Sequence, residues 1–90
     1  MASDQPTDLS IVRRIHTIAK FTDDEFQGRY RNHDIAIDRE RDGSFYIMVR
    51  SPSGMLAYDG WWHGSGSMSA AVIEAMRGSL LLKEKSNAHA

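Results

Sequence analysis

The feature that most restricts this chain lies in its middle, where three short segments, "HDIAIDRE", "SFYIMVR" and "MLAYDGWW", are separated by the turn sequences "RDG" and "SPSG". Each segment partly alternates and is rich in β-branched and aromatic residues, the signature of a strand with one buried face. Turns this short join antiparallel neighbours, so the segments predict a three-stranded antiparallel meander.

The register follows from where the apolar residues must fall. If the first turn were Asp42 and Gly43 alone, Ile35 and Ile37 would face away from Phe45, Ile47 and Val49, and the core would be split. A loop of Arg41, Asp42 and Gly43, with Gly43 left-handed, restores one apolar face. A turn over residues 51–54 then sets Val49 opposite Leu56 and Ile47 opposite Tyr58, so that Leu56, Tyr58 and Trp62 join the buried face. The opposite face is expected to carry Asp34, Ala36, Asp38, Tyr46, Met48, Arg50, Met55, Ala57, Asp59 and Trp61. Alternation also forces Trp61 and Trp62 to opposite sides.

Helical spacing flanks the meander. Over residues 8–21, Ile11, Val12, Ile15, Ile18 and Ala19 recur at intervals of three and four, with Thr7 or Asp8 as cap. Thr22 to Glu25 reads either as a capping box for a short helical turn ended by Gly28 or as an acidic loop. A last helix is expected from Ser67 or Ser69 to about Lys83, with Ala71, Val72, Ala75, Met76 and Leu80 on one stripe. Gly78 within it suits close packing. The expected fold is therefore α+β: helix, three-stranded antiparallel meander, helix, with both helices on one sheet face. One domain spans residues 8–83, between flexible tails at 1–7 and 84–90.

Composition narrows the function classes. With 11 basic and 12 acidic residues in 90, the net charge of -1 supplies no overall field to draw phosphate backbones or anionic membranes. There is no cysteine, which removes disulfides, thiolate metal sites and thiol nucleophiles and fits a reducing compartment. The amino terminus "MASDQPTDLS" lacks a basic segment followed by an apolar one, and no run is long enough to cross a bilayer, so a cytoplasmic protein without membrane contact is expected.

The element order, with Gly64 and Gly66 before "SMSAAVIEAMRGSL", resembles the double-stranded-RNA-binding domain family. Ala71, Ala75, Met76 and Leu80 occupy the small and apolar places of that family's last helix. The resemblance implies a nucleic-acid surface at the glycine-rich loop. However, the family's two phosphate-clamping lysines correspond to Met68 and Ser69, and its glycine, proline and histidine motif corresponds to "RDGS" around Gly43. Neither contact carries over. The "YDGWW" stretch is also similar to small bacterial proteins, with no activity attached to the likeness.

Several residue sets invite chemical readings. Gly64, Ser65, Gly66 and Ser67, with Arg29 and Arg31, would suit an anion or nucleic acid at a helix amino end. The same stretch lacks the lysine of a P-loop and the spacing of a dinucleotide fingerprint, and it reads equally as a strand-to-helix connection. Asp59, His63 and Ser65 are the residue types of a nucleophilic triad, but one short segment offers nothing to orient the histidine. His16, His33, His63 and His89 show no metal-ligand spacing, and no cofactor fingerprint is present. Asp34, Asp38 and Asp59 share a face around Tyr46, either as a cation or acid-base group or as a solvated sheet face. Arg29, Arg31, Arg39 and Arg41 interleave with Tyr30 and with carboxylates. Together these features predict a non-enzymatic binding module, joining a protein partner or a second copy through Tyr46, Met48, Met55 and Trp61. A second expectation is a degenerate nucleic-acid module using the glycine-rich loop with Lys20, Arg29 and Arg31. The third is an enzyme with its site at the 62–69 loop.

Overall fold

The computed structural model describes residues 15, 17–64 and 66–81. Five antiparallel strands, β1 (Thr17–Phe21), β2 (Glu25–Tyr30), β3 (His33–Arg39), β4 (Phe45–Arg50) and β5 (Leu56–Trp62), form one sheet in chain order, and a helix, α1 (Met68–Gly78), follows. This corrects the expected helix, three-stranded meander, helix. The meander has five strands, and one helix packs on it among the described residues. Residues 8–14 of the expected first helix lie outside the described residues; its last part, Thr17–Phe21, is strand β1.

The physical reason for the misreading is a β-bulge. Ile18 pairs with Gly28 and Phe21 with Phe26, with a register shift between Ile18 and Lys20. The extra residue puts Ile18 and Phe21, three apart, on the same face, so a bulged strand copies the spacing of a helix. Strand β2 was hidden differently. Phe26, Gly28 and Tyr30 alternate inward as a strand should, but the central place is a glycine because the Phe26 ring lies over it: a Cβ on Gly28 would come within 2.8 Å of that ring and 2.9 Å of the Thr17 carbonyl. The capping-box hydrogen bond does form, with the Glu25 amide donating to Thr22 Oγ1 at 3.0 Å, but it closes the β1–β2 hairpin instead of opening a helix.

The middle hairpins follow the expected logic, with one exception. Ile35 opposes Val49 and Ile37 opposes Ile47. The Gly43 amide donates to the Glu40 carbonyl at 3.0 Å, and Gly43 is left-handed with φ 91°. The second hairpin repeats this turn: the Gly54 amide donates to the Ser51 carbonyl at 2.9 Å, with φ 92° at Gly54. Beyond it, Val49 opposes Tyr58, not Leu56, because a second bulge intervenes and Leu56 pairs with Arg50. Leu56 is thereby turned to the outer face and is 44% exposed, correcting its expected place in the core.

Helix α1 lies on the inner face. Met68, Ala71, Val72, Ile73, Ala75 and Met76 are buried against Ile35, Ile37, Phe45, Ile47 and Val49, with Ile15, Phe26 and Tyr30 in the same cluster. Ser67 caps its start, accepting a hydrogen bond from the Ala70 amide at 3.0 Å. The helix stops earlier than its apolar stripe suggested. Leu80 adopts φ 66°, the Leu80 amide donates to the Arg77 carbonyl at 3.0 Å, and the Leu81 amide donates to the Met76 carbonyl at 2.8 Å. These are the bonds of a Schellman motif, with leucine where glycine is usual. Leu80 is accordingly 63% exposed and not part of the buried stripe.

Candidate functional site

The outer face of the sheet is uncovered among the described residues, and strand pairing arranges it in rows. One row runs Thr17, Arg29, Asp34, Arg50, Leu56; the next runs Lys20, Gln27, Ala36, Met48, Asp59; a third runs Glu25, Asp38, Tyr46, Trp61. In the third row the indole of Trp61, 63% exposed, meets the Tyr46 ring at a centroid distance of 4.8 Å and an interplanar angle of 49°. The Tyr46 hydroxyl donates to the Asp59 carboxylate. That bond, with partial burial, holds the Tyr46 phenol above its ordinary pKa. Met48 stands beside Asp59 and two residues along β4 from Tyr46.

Trp62 is committed elsewhere. Its ring packs at 6.1 Å from that of Phe45 and covers Gly64, where a Cβ would overlap the indole. The two tryptophans thus divide as alternation requires, one to the core margin and one to the outer face.

Beside Trp61 is an open cleft of about 540 Å³ lined by Glu40, Arg41, Asp42, Ser44, Trp61 and His63. The β3–β4 turn forms its wall because Arg39, Phe45 and Trp62 are aligned across three strands. Asp42 accepts hydrogen bonds from the Ser44 amide at 2.9 Å and the Ser44 hydroxyl at 2.6 Å, which hold its carboxyl below the ordinary range and keep it ionised. Asp42 and His63 are neighbours of Trp61 that residue types alone do not reveal. The register does reveal them, since it brings that turn alongside the end of β5.

Of the expected docking residues, the fold brings together Tyr46, Met48 and Trp61. Met55 is exposed at the opposite end of β5, about 20 Å from Trp61 at ordinary strand rise. Leu56, which the bulge turns outward, joins the face instead.

The expected anion set is divided. Arg29 lies in the row of Asp34, whereas Gly64, Gly66 and Ser67 follow the Trp62 end, five residues away along β3 and so about 17 Å distant. Arg29 is engaged with Asp34 at 3.0 Å, and Arg31 occupies the β2–β3 turn at φ 52°. Ser65 lies outside the described residues. The cation that does reach the glycine-rich loop is Arg39, whose Nη2 donates to the Gly66 carbonyl at 2.8 Å while its Nε donates to the Asp23 carbonyl at 2.9 Å. Arg39 also stacks over the Phe45 ring at 4.6 Å. It ties the β1–β2 hairpin to the start of α1.

Asp59 and His63 are four residues apart along the end of β5, about 13 Å, so the carboxylate that bonds Tyr46 does not orient the imidazole. His33 and His63 belong to opposite ends of the sheet, and His16 and His89 lie outside the described residues. Among the described residues no three histidine, aspartate or glutamate side chains converge as a metal site, and no helix is long and apolar enough to cross a membrane. Lys20 forms an ion pair with Glu25 at 2.8 Å. No protein family, curated protein or solved structure matches this chain.

Proposed function

We propose that this domain is a binding module whose working surface is the outer sheet face, anchored on the Tyr46–Trp61 pair. The observation that carries the reading is the exposure of Trp61 on a rigid, paired strand. A large aromatic held in place by a neighbouring ring presents contact area at small entropic cost, and such residues dominate binding energy where proteins meet. Met48, in the row next to Trp61, extends the apolar area toward Leu56 one row farther along.

The edges of the sheet favour the face as the docking surface. Both outer strands carry a bulge, β1 near Ala19 and β5 near Ala57, and bulged edges twist away from the straight pairing that an added strand needs.

Photo-crosslinking in the source cell, with a benzophenone amino acid replacing Trp61 in one protein and Arg77 on the exposed side of α1 in another, tests the proposal. A discrete adduct from position 61 and none from position 77 is the expected result. Equal or absent adducts at the two positions would sink it.

A further inference from the structure

The charge around the aromatic pair identifies the chemistry of its occupant. Asp38 is paired directly beside Tyr46, Asp59 accepts from the Tyr46 hydroxyl, and Glu40 and Asp42 line the cleft against Trp61. One guanidinium, that of Arg41, shares this cleft. Counting Glu25 and its ion-pair partner Lys20, which also lies near Asp38, five carboxylates against two cations, set about an exposed indole, make this end of the face acidic and aromatic together. An indole attracts cations to its face, and flanking carboxylates strengthen that attraction while repelling phosphate.

The cations on the rest of the face are already engaged. Arg29 is paired with Asp34, and the Arg50 guanidinium donates to the Gly54 carbonyl at 3.0 Å. Set against this end, as a two-fold dimer requires, a second copy would bring the same excess of carboxylates among the described residues and be repelled.

We propose, on the basis of the docking reading above, that the Tyr46–Trp61 end of the sheet receives a basic segment of a partner protein. An arginine or lysine of that segment lies on the Trp61 indole, between Asp59 and the Glu40–Asp42 turn. Met48 and Leu56 accommodate the apolar residues that follow.

The test is a titration of isotope-labelled protein with an acetylated, amidated peptide of alternating glycine and arginine, with the glutamate counterpart as control, read at the Trp61 indole N–H and the backbone amides. Saturable shifts at Trp61, Tyr46 and Asp59 that weaken as salt rises are expected with the arginine peptide alone. Trp61→Ala abolishes them. Asp59→Asn, which keeps an acceptor for Tyr46, weakens binding about fivefold, the effect of losing roughly one charge-assisted contact.

The inference is overturned if the glutamate peptide binds equally, or if the shifts centre on Arg29 and Arg50. It is also overturned if Trp61 responds only to protein concentration and sedimentation shows a dimer, because the occupant is then a second copy. A crosslink from position 61 to a partner region without basic residues removes this inference and leaves the docking reading standing. Neither a crosslink nor a peptide shift removes both.

Discussion

Gly78 of α1 and the ring of Tyr58 share space so closely that a Cβ on the glycine would overlap the ring, whose hydroxyl donates to Glu74 one helical turn earlier at 2.8 Å. Tyr58 therefore crosses the helix between positions 74 and 78, with the absent side chain as its seat. Gly78→Ala should lower stability by about 1–3 kcal/mol, although alanine is the better helix former by about 1 kcal/mol, because the ring must leave its place or its hydrogen bond. Urea unfolding would show this as a lower midpoint with an unchanged slope; an unchanged or higher midpoint would mean that the ring yields freely.

The same tyrosine sets an alkaline limit. Burial, and then the bond to Glu74, push the Tyr58 phenol up to about 12 from its ordinary 10.0. A folded pKa above the unfolded one means that the neutral phenol is favoured by folding. The stability it contributes is fully present below pH 10 and is lost as pH rises toward 12. Melting temperatures followed across that window should fall less steeply in Tyr58→Phe than in the parent protein.

At the acid end the sign reverses. Glu25, through its bond to Lys20, and Asp42, through its bonds from Ser44, are both held below their ordinary values of 4.5 and 3.8. Their contribution is complete above those values, declines as pH falls below them, and is gone once pH has passed the folded ones. Asp42→Ala also leaves the hydroxyl of buried Ser44 without its acceptor and should lower the melting temperature at neutral pH. Asp42→Asn, which keeps an acceptor, should cost less in the same thermal melts.

Leu80 offers a change in the stabilising direction. A leucine held left-handed costs about 1–2 kcal/mol, and glycine removes that cost while giving the unfolded chain roughly 0.5–1 kcal/mol more freedom. Leu80→Gly should therefore raise stability by up to about 1 kcal/mol, with little packing lost from so exposed a side chain. A fall in the denaturation midpoint would show that the leucine contacts matter more than its backbone.

The tryptophans can be told apart in solution. Acrylamide should quench Trp61 far more readily than Trp62, so Trp61→Phe should leave a protein whose remaining emission is bluer and less quenched. Trp61→Ala removes the cross-strand ring pair with Tyr46 and should cost about 0.5–1 kcal/mol, small enough to leave the protein folded and so separate binding from folding.

What the sequence revealed and what it concealed both trace to periodicity. Ile35, Ile37, Phe45, Ile47 and Val49 alternate without interruption, and with Gly43 marking the turn they allowed only one register. Where a bulge adds a residue, alternation misleads: Ile18 and Phe21 took on helical spacing, and Leu56 was assigned to the wrong face. Gly28 left a gap in the pattern of β2 because the ring of its own neighbour, Phe26, fills that place. The positions of the candidate residues were legible to the same extent. Tyr46, Met48 and Trp61 stand on unbroken pairing and fell together as expected, whereas Met55 and the Arg29–Gly64 grouping depended on distances that only the completed sheet defines.

A strand order identical to the chain order bears on how the protein is made. Each strand, as it leaves the ribosome, finds its partner already waiting in the segment synthesised just before, so the sheet can zip up vectorially without long loop closures. Among the described residues the inner face, with Ile35, Ile37, Ile47 and Val49, is covered by α1, which is encoded after all five strands. Ribosome-bound chains arrested between the emergence of Trp62 and that of Met76 are therefore expected to be the most prone to aggregate, with an apolar sheet face that α1 has yet to cover.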